Sequence, residues 1–323
     1  MKEHFFVTGA MGCIGAWVVR DLVQDGAEVT AFDLATDTHR LKLIMSEEEL
    51  GRVNFIKGDI TDTAAVEEAV QPATHIIHLA ALQVPFCKAN PVLGARVNVV
   101  GTVNVFEAAK KAGLKNVVYA SSIAVFGGSE EYEDGPLPDH AALNPRTHYG
   151  VYKQANEGTA RIYWQDDEIG SIGLRPYTVY GPGRDQGMTS APTKAMLAAA
   201  AGQGFHIPFG GRCAYQYTDD TARIFIDAAR ADIKGAEVAN LRGVAAHMSE
   251  IVAAIEAVEP NIAGKITFSD NPLPFPEEAD DSNLVVLIGE PHYTDLQRGV
   301  DQTVEMFKVA LADGRVNVEV LQS

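Results

Sequence analysis

The stretch Thr8-Gly9-Ala10-Met11-Gly12-Cys13-Ile14-Gly15 decides the fold of this chain. A strand-like run, His4–Thr8, leads into it, and a predicted helix over Gly15–Asp25 follows it. Glycine is needed where a strand turns sharply into a helix and where the two elements pack closely. The stretch therefore predicts a strand–turn–helix unit whose backbone N–H groups are suited to hold a phosphate.

A carboxylate after the second predicted strand extends this pattern to a dinucleotide site. Asp33 follows the strand Glu28–Phe32, within the roughly 20 residues expected after such a glycine turn. A carboxylate there accepts hydrogen bonds from ribose hydroxyls and repels a 2′-phosphate, so the pattern predicts NAD rather than NADP. Arg40 is the nearby cation that works against this preference. The predicted contacts from the turn and this strand are Gly9, Met11, Gly12, Cys13, Ile14, Gly15 and Asp33.

Strand-like and helical patterns alternate through the first half of the chain. This alternation predicts an α/β fold with a Rossmann-type doubly wound parallel sheet. Turn-rich segments follow Pro176 and indicate a smaller, discontinuous C-terminal substrate-binding cap over the carboxyl edge of the sheet. We assign 1–175 to the NAD-binding domain, with its sheet completed by about 212–243, and 176–211 with 244–323 to the smaller region.

Bulk properties exclude several classes of protein. The formal net charge of −17 argues against a nucleic-acid partner, which needs a basic face. No apolar stretch approaches the ~18 residues of a membrane span, and the N-terminus runs directly into the first strand, so we expect neither a membrane segment nor a signal peptide. Three widely spaced cysteines fit reduced thiols in the cytoplasm. The nine histidines form no recognisable ligand spacing, so we predict no metal site.

Tyr149 and Lys153 carry the predicted chemistry. They lie four residues apart, so on a helix they share one face. A free phenol has a pKa near ~10, and an ammonium group beside it favours the phenolate. Tyr149 then serves as the general base for a hydroxyl whose carbon gives hydride to NAD. The alternative interpretation is an ordinary exposed helix pair.

Several ordered motifs over nearly the whole chain resemble the extended short-chain dehydrogenase/reductase family of epimerases, dehydratases and some dehydrogenases. The motifs are Thr8 to Gly15, Gly58-Asp59-Ile60, His78-Leu79-Ala80-Ala81, Asn98 with Gly101-Thr102, Ser121-Ser122 before Val125-Phe126-Gly127, Tyr149 with Lys153, and Tyr180-Gly181-Pro182-Gly183. The resemblance implies that Ser122 is the third catalytic residue and orients the reacting oxygen. It also implies that Asp59 and Ile60 hold the adenine, that Leu79, Ala80 and Ala81 line the cofactor, and that Asn98 is a structural or cofactor contact. We add Ala120, Tyr149, Lys153 and Pro176 to the predicted cofactor contacts.

The chain departs from relatives that act on diphosphate-linked sugars. Those members usually carry an asparagine where this chain has Thr178 and an arginine where it has Cys213. Arg212 is adjacent but points elsewhere if the strand register holds. The segment 271–281, where a third arginine is usual, has four acids and no base. A buried diphosphate needs such partners, so these departures favour a smaller, less charged substrate.

We therefore predict an NAD-dependent oxidoreductase that transfers hydride at a secondary hydroxyl of a free sugar, polyol or sugar acid. The alternative is an NAD-dependent sugar or nucleotide-sugar epimerase that oxidises its substrate transiently. A third hypothesis is a non-catalytic NAD sensor. The resemblance also implies a homodimer through a four-helix bundle formed by Val92–Ala112 and Tyr149–Gln165. Predicted substrate contacts are Gln83, Ser122, Tyr177, Arg184, Thr189, Ser190 and Gln216, of which Arg184 suits a carboxylate.

Overall fold

Strands and helices alternate regularly up to residue 175 in a computed structural model of the protein, which describes residues 2–322. In chain order they are β1 (His4–Thr8), α1 (Cys13–Gln24), β2 (Glu28–Asp33), α2 (His39–Ile44), α3 (Glu47–Leu50), β3 (Asn54–Lys57), α4 (Thr63–Val70), β4 (His75–His78), α5 (Val84–Ala89), α6 (Pro91–Ala95), α7 (Gly101–Ala112), β5 (Asn116–Ala120), α8 (His148–Asp167) and β6 (Gly170–Arg175). A π-helical turn, Arg96–Val100, joins α6 to α7. Short 3₁₀ turns lie at Ile123–Val125 and Ser129–Glu131.

The rest of the chain is less regular, as its turn-rich sequence predicts. Its elements are β7 (Thr178–Tyr180), α9 (Ala191–Ala200), β8 (Phe205–Ile207), β9 (Arg212–Tyr217), α10 (Thr218–Arg230), β10 (Ala236–Asn240), β11 (Val244–His247), α11 (Met248–Val258), β12 (Ile266–Phe268), α12 (Ser282–Ile288) and α13 (Leu296–Ala312), with 3₁₀ turns at Pro260–Ile262 and Val318–Gln322. No helix within the described residues is both long and apolar enough to cross a membrane.

Seven parallel strands form the central sheet in the order β10-β6-β5-β4-β1-β2-β3. Side chains of a strand alternate between the two faces of its sheet. Phe5 and Val7 accordingly pack with α1 and α10 on one face, whereas Phe6 packs with α4 and α7 on the other. The predicted Rossmann-type doubly wound sheet is confirmed.

One detail of the predicted sheet is wrong. The segment that completes the central sheet was expected to begin at about residue 212, but β9 pairs with β7 and β11 in a separate three-stranded sheet. Its side chains Cys213 and Tyr215 are buried in the hydrophobic cluster of the smaller region, which leaves no apolar face for the central sheet. Within 212–243, α10 and β10 are the elements that return to that sheet.

Candidate active site

A cavity of about 630 Å³ lies where the parallel strands end. Its size falls in the range that takes a small molecule or cofactor. Ligands of open α/β sheets bind at this carboxyl edge. The predicted residues that line it are Gly9, Met11, Gly12, Cys13, Ile14, Gly15, Asp33, Asp59, Ile60, Leu79, Ala80, Ala81, Gln83, Ala120, Ser122, Tyr149, Lys153, Pro176, Tyr177, Arg184 and Thr189.

Three predicted residues lie outside the cavity lining and hold the scaffold instead. Asn98 donates to the carbonyl of Leu82 and accepts from its N–H. Ser190 donates to the carbonyl of Gly187. Gln216 accepts from the N–H of Tyr177 and donates to a backbone carbonyl on the far side. Their polar groups are thus used within the fold.

The glycine turn leaves no room for a side chain at Gly9 or Gly15. Gly9 has φ +67°, and a Cβ on it would lie 2.6 Å from the backbone nitrogen of Ala80. A Cβ on Gly15 would lie 2.2 Å from the carbonyl oxygen of Gly9. Gly12 precedes α1 without a side-chain cap, so the first N–H groups of that helix find no side-chain acceptor at the cap position. The turn therefore offers open N–H donors and a helix dipole to an anion such as a pyrophosphate.

Asp33 is fixed at the other side of this turn. Its carboxylate accepts from the N–H of Met11 and from the N–H of Ala35, both at 2.9 Å. Arg40 is the cation that was expected to work against the preference for NAD. It also borders the cavity, but it makes an ion pair with Asp185 at 2.7 Å. An anchored carboxylate beside an anion-binding turn fits the ribose and pyrophosphate of NAD.

Ser122, Tyr149 and Lys153 meet in the cavity from three positions in the fold. Ser122 begins the 3₁₀ turn after β5, while Tyr149 and Lys153 lie on α8. The ammonium of Lys153 lies 5.5 Å from the centre of the Tyr149 ring, and its Nζ donates to the carbonyl of Ala120 at 2.6 Å. The pair is thus not an exposed helix pair, since Lys153 is buried.

The electrostatics of this group follow from its burial. Burial raises the pKa of Tyr149, while the hydrogen bond from Ser122 and the charge of Arg184 oppose that rise. Burial also lowers the pKa of Lys153 to about 8. Without further positive charge the phenol is therefore protonated at neutral pH, and its deprotonation depends on its partners.

Neighbouring residues of the same types are committed to other contacts. The Ser121 hydroxyl donates to Glu157 at 2.6 Å, and this carboxylate also pairs with Arg175. Tyr152 donates to the carbonyl of Pro91, away from the cavity. These contacts agree with the choice of Ser122 over Ser121 and of Tyr149 over Tyr152.

At the substrate end of the cavity, Arg184 makes no ion pair with any residue that the structure describes. Its Nη2 donates to the hydroxyl of Thr189 at 2.9 Å, and its buried Nε has no hydrogen-bond partner among the described residues. Arg184 is on the loop after β7, close enough to Tyr149 to affect its pKa. A guanidinium in this state is suited to a carboxylate or another anionic group of a substrate.

The positions that depart from sugar-nucleotide enzymes pair with each other. The hydroxyl of Thr178 on β7 lies 3.6 Å from the Cys213 sulfur on β9, and both side chains are buried. Arg212 turns to Glu278, with Nη2 at 2.8 Å from the carboxylate, and does not line the cavity. Arg212 therefore points away from the cavity, and among the described residues no guanidinium lies beside Thr178 and Cys213 in place of the missing ones.

Several residues that line the cavity were missed from the sequence, Phe275 and Asp185 among them. Phe275 lines it from the acidic segment and packs edge-on against Tyr177, with ring centres 5.9 Å apart. Asp185 lines it beside Arg184 and binds Arg40. For Asp185, the available signal in the sequence was the pair of glycines around it, Gly183 and Gly187, because they mark a loop over the cleft. Within residues 2–322, no group of three or more His, Cys, Asp or Glu side chains is arranged to hold a metal ion.

Comparisons with known proteins agree with this geometry. The profile of the NAD dependent epimerase/dehydratase family matches residues 5–241. A UDP-glucose 4-epimerase of Mycolicibacterium smegmatis is 29% identical over 94% of this chain and 97% of its own length. UDP-glucuronate 4-epimerase 6 of Arabidopsis thaliana is 34% identical, but the match covers 54% of this chain and 39% of that protein.

A solved structure extends the likeness to the whole fold. MoeE5 in complex with UDP-glucose and NAD superimposes with a TM-score of 0.79, at 26% identity over 95% of this chain and 99% of that one. The cavity, with its glycine turn, its anchored carboxylate and its Ser–Tyr–Lys group, has the parts that such a cofactor requires. The chain belongs to the NAD-dependent epimerase/dehydratase family and is an NAD-dependent enzyme of the extended short-chain dehydrogenase/reductase type.

Proposed function

We propose that this protein is a sugar epimerase that oxidises a secondary hydroxyl transiently and returns the hydride to the opposite face. The observation that carries the proposal is the Ser122–Tyr149–Lys153 group, which lines the same cavity as the anchored Asp33. The two relatives named above are sugar-nucleotide epimerases. They therefore favour an epimerase over the dehydrogenase that we expected first.

Each residue of the group has a role set by its contacts. Tyr149 accepts the hydroxyl proton of the substrate, and Ser122 hydrogen-bonds the phenol and orients the reacting oxygen. Lys153, held by the carbonyl of Ala120, favours the phenolate through its charge. Bound NAD supplies the hydride acceptor, and its positive nicotinamide adds to that charge. The glycine turn and Asp33 hold the cofactor in place for this proton transfer.

Two contacts support retention of the cofactor between turnovers, which an epimerase needs. The indole N–H of Trp17, on the helix after the glycine turn, donates to the carbonyl of Pro182 at 2.9 Å. Arg40 joins the carbonyl of Met11 to the carboxylate of Asp185. The loop after β7 is thus tied at two points to the cofactor end of the cavity, and these ties must break before the loop can move away.

A second candidate is an NAD-dependent dehydrogenase of a free sugar, polyol or sugar acid. The neutral contact between Thr178 and Cys213 favours it, because burying a diphosphate without cationic partners is costly. Arg184, unpaired at the substrate end, would then bind a carboxylate of a small substrate. The other proposed substrate contacts in the lining are Gln83, Ser122, Tyr177 and Thr189.

One experiment separates the candidates. The purified protein is denatured and its released nucleotide is quantified, and intact protein is then incubated with UDP-glucose, UDP-glucuronate, free sugars, sugar acids and polyols. Absorbance of NADH and NMR of the products are followed with and without added NAD⁺. Retained NAD, together with conversion of a UDP-sugar to its epimer without net NADH, is the expected result.

Accumulation of NADH with a non-nucleotide alcohol would replace the epimerase by the second candidate. Conversion of none of these substrates by protein that does bind NAD would contradict both. The binding measurement keeps these outcomes apart, since a misfolded preparation would not hold the nucleotide.

We also propose that the enzyme is a cytoplasmic homodimer. Cys13, Cys87 and Cys213 are free thiols, which supports a reducing compartment. Val92 on α6 and Val151 on α8 are exposed apolar residues, with exposed fractions of 73% and 46%, on the helices expected to form the four-helix bundle. Light scattering should give the mass of a dimer, and Val92→Glu with Val151→Glu should give a monomer. A monomeric wild-type protein at micromolar concentration would contradict the assembly.

A further inference from the structure

Arg40 borders the cavity beside the carboxylate expected to hold the cofactor ribose. Its Nη1 donates to the carbonyl of Met11 at 2.8 Å, and the N–H of the same residue donates to Asp33 at 2.9 Å. One backbone residue therefore holds the guanidinium and the carboxylate on its two sides. A free guanidinium at this place would attract a phosphate on the ribose, since arginine binds phosphate through two parallel hydrogen bonds.

The hydrogen bonds that Arg40 could give to a phosphate are already given to the carboxylate of Asp185. Arg40 Nε lies 3.0 and 3.1 Å from the two carboxylate oxygens of Asp185, and Nη2 lies 2.7 Å from the first. Both side chains are largely buried, with exposed fractions of 13% and 21%. Solvent screening of this ion pair is therefore weak compared with that of a pair on the surface.

Other charges around this ion pair come from His39, the first residue of α2, and from Asp37 just before it. His39 Nε2 lies 3.0 Å from Asp185, and His39 Nδ1 lies 2.8 Å from Asp37. Burial acts to raise the pKa of Asp185, but the hydrogen bonds from His39 and Arg40 outweigh it and bring this pKa below its ordinary value. Asp185 is consequently charged at neutral pH and remains a competitor for Arg40.

We propose that Asp185, on the loop after β7, makes this enzyme select NAD over NADP by holding Arg40 in an ion pair. A 2′-phosphate would have to displace the Asp185 carboxylate from Arg40 while lying close to the second carboxylate, Asp33. Selectivity for NAD is thus set by two acids, Asp33 at the cofactor end of the cavity and Asp185 on the loop after β7. This inference rests on NAD dependence and not on which sugar is the substrate.

The test is the affinity of nucleotide-free protein for NAD⁺ and NADP⁺, measured by titration calorimetry. Asp185→Asn keeps the size of the side chain and removes its charge. A hydrogen bond to a charged group contributes about 1.5–3 kcal/mol, so we expect the affinity for NADP⁺ to rise at least about tenfold. The affinity for NAD⁺ should change much less than that for NADP⁺, and measurable binding of NAD⁺ also reports that the site is intact.

Asp37→Asn is the matched control. It removes one negative charge from the same cluster, but Asp37 contacts His39 and not Arg40. Its affinity for NADP⁺ should stay near that of the wild type. An equal gain in Asp37→Asn and Asp185→Asn would overturn the proposal, because a general field effect would then explain both.

The variant Arg40→Gln tests whether Arg40 is withheld from NADP⁺ in the wild type, and this test does not depend on how Asp185→Asn folds. If Asp185 withholds Arg40, removal of Arg40 from the otherwise wild-type protein leaves the weak binding of NADP⁺ nearly unchanged. In the double variant with Asp185→Asn, it abolishes the tenfold gain. A large loss of NADP⁺ affinity in Arg40→Gln alone would mean that the guanidinium is available in the wild type, and the proposal would be wrong.

Discussion

The two ends of the cavity are built in different ways. At the cofactor end the groups that face the cavity come from the glycine turn and from the segments at the carboxyl ends of β2, β3 and β4, with Asp33 anchored by two N–H groups. At the substrate end they are side chains from loops far apart in the chain, among them Tyr177, Arg184 and Phe275. Backbone geometry restricts the first end to one class of ligand, whereas side chains can vary at the second while the fold is preserved.

The largest effect should come from the group that joins the two ends. Tyr149→Phe removes the only hydroxyl on that ring, and loss of a general base costs about 10²–10⁴-fold in rate. We expect turnover to fall about 10³-fold while NAD binding persists, measured by product NMR and by calorimetry. Tyr152→Phe, one turn away and bonded to Pro91, should keep wild-type turnover. Full turnover of Tyr149→Phe would mean that Tyr149 is not the general base.

The cofactor end can be tested through its glycine turn. Gly9→Ala places a Cβ 2.6 Å from the Ala80 backbone, whereas Gly26→Ala meets nothing within 4 Å. Both glycines have positive φ, +67° and +82°, so both variants share the cost of the left-handed conformation. Crowding should add about 1–3 kcal/mol of destabilisation in Gly9→Ala alone and prevent NAD binding.

Urea unfolding and calorimetry of the two variants measure this difference. If the two variants lose the same free energy of unfolding and both bind NAD, close packing of the turn against Leu79 and Ala80 is not what requires glycine at position 9.

The substrate end can be tested through Arg184. If the substrate is acidic, Arg184→Gln removes a charge-assisted contact, and KM should rise about 10–100-fold for acidic sugars while it stays unchanged for neutral ones. Arg212→Gln is the matched control, because this arginine faces Glu278 outside the cavity. Equal changes in KM for acidic and neutral substrates would mean that Arg184 does not recognise an anion.

The smallest effect concerns the buried ammonium of Lys153, where the cofactor end and the substrate end of the cavity meet. Because burial lowers the pKa of Lys153 from 10.5 to about 8, the unfolded chain binds this proton more tightly between those values. The contribution of Lys153 to the free energy of unfolding therefore increases as the pH rises from 8 to 10.5. Relative to nucleotide-free Lys153→Met, wild type should gain about 2 kcal/mol between pH 7 and 10. A difference between the two proteins that does not change with pH would contradict this assignment.

Much of the cofactor end could be predicted from the sequence because its determinants are local. The glycine turn, Asp33 and the spacing of Tyr149 and Lys153 each lie within one strand–turn–helix unit or one helical turn. The prediction was less accurate for polar residues of the smaller region. Gln216 has a polar side chain that suits a binding site. Its amide instead bridges the backbone N–H of Tyr177 and the backbone carbonyl of Leu241, because buried backbone groups there need partners.

By itself, the sequence determined the parallel sheet, the dinucleotide turn and the Tyr–Lys pair. Alternating periodicity and short-range spacing carry that information along the chain. Only the tertiary structure decided what Arg40 does, because its partner Asp185 lies 145 residues away and comes beside it only when the loop after β7 folds over the cavity. It also decided that Thr178 contacts Cys213 and that Arg212 turns outward, since both depend on how β7 and β9 pair. Contacts between distant segments depend on packing that no local pattern of residues encodes.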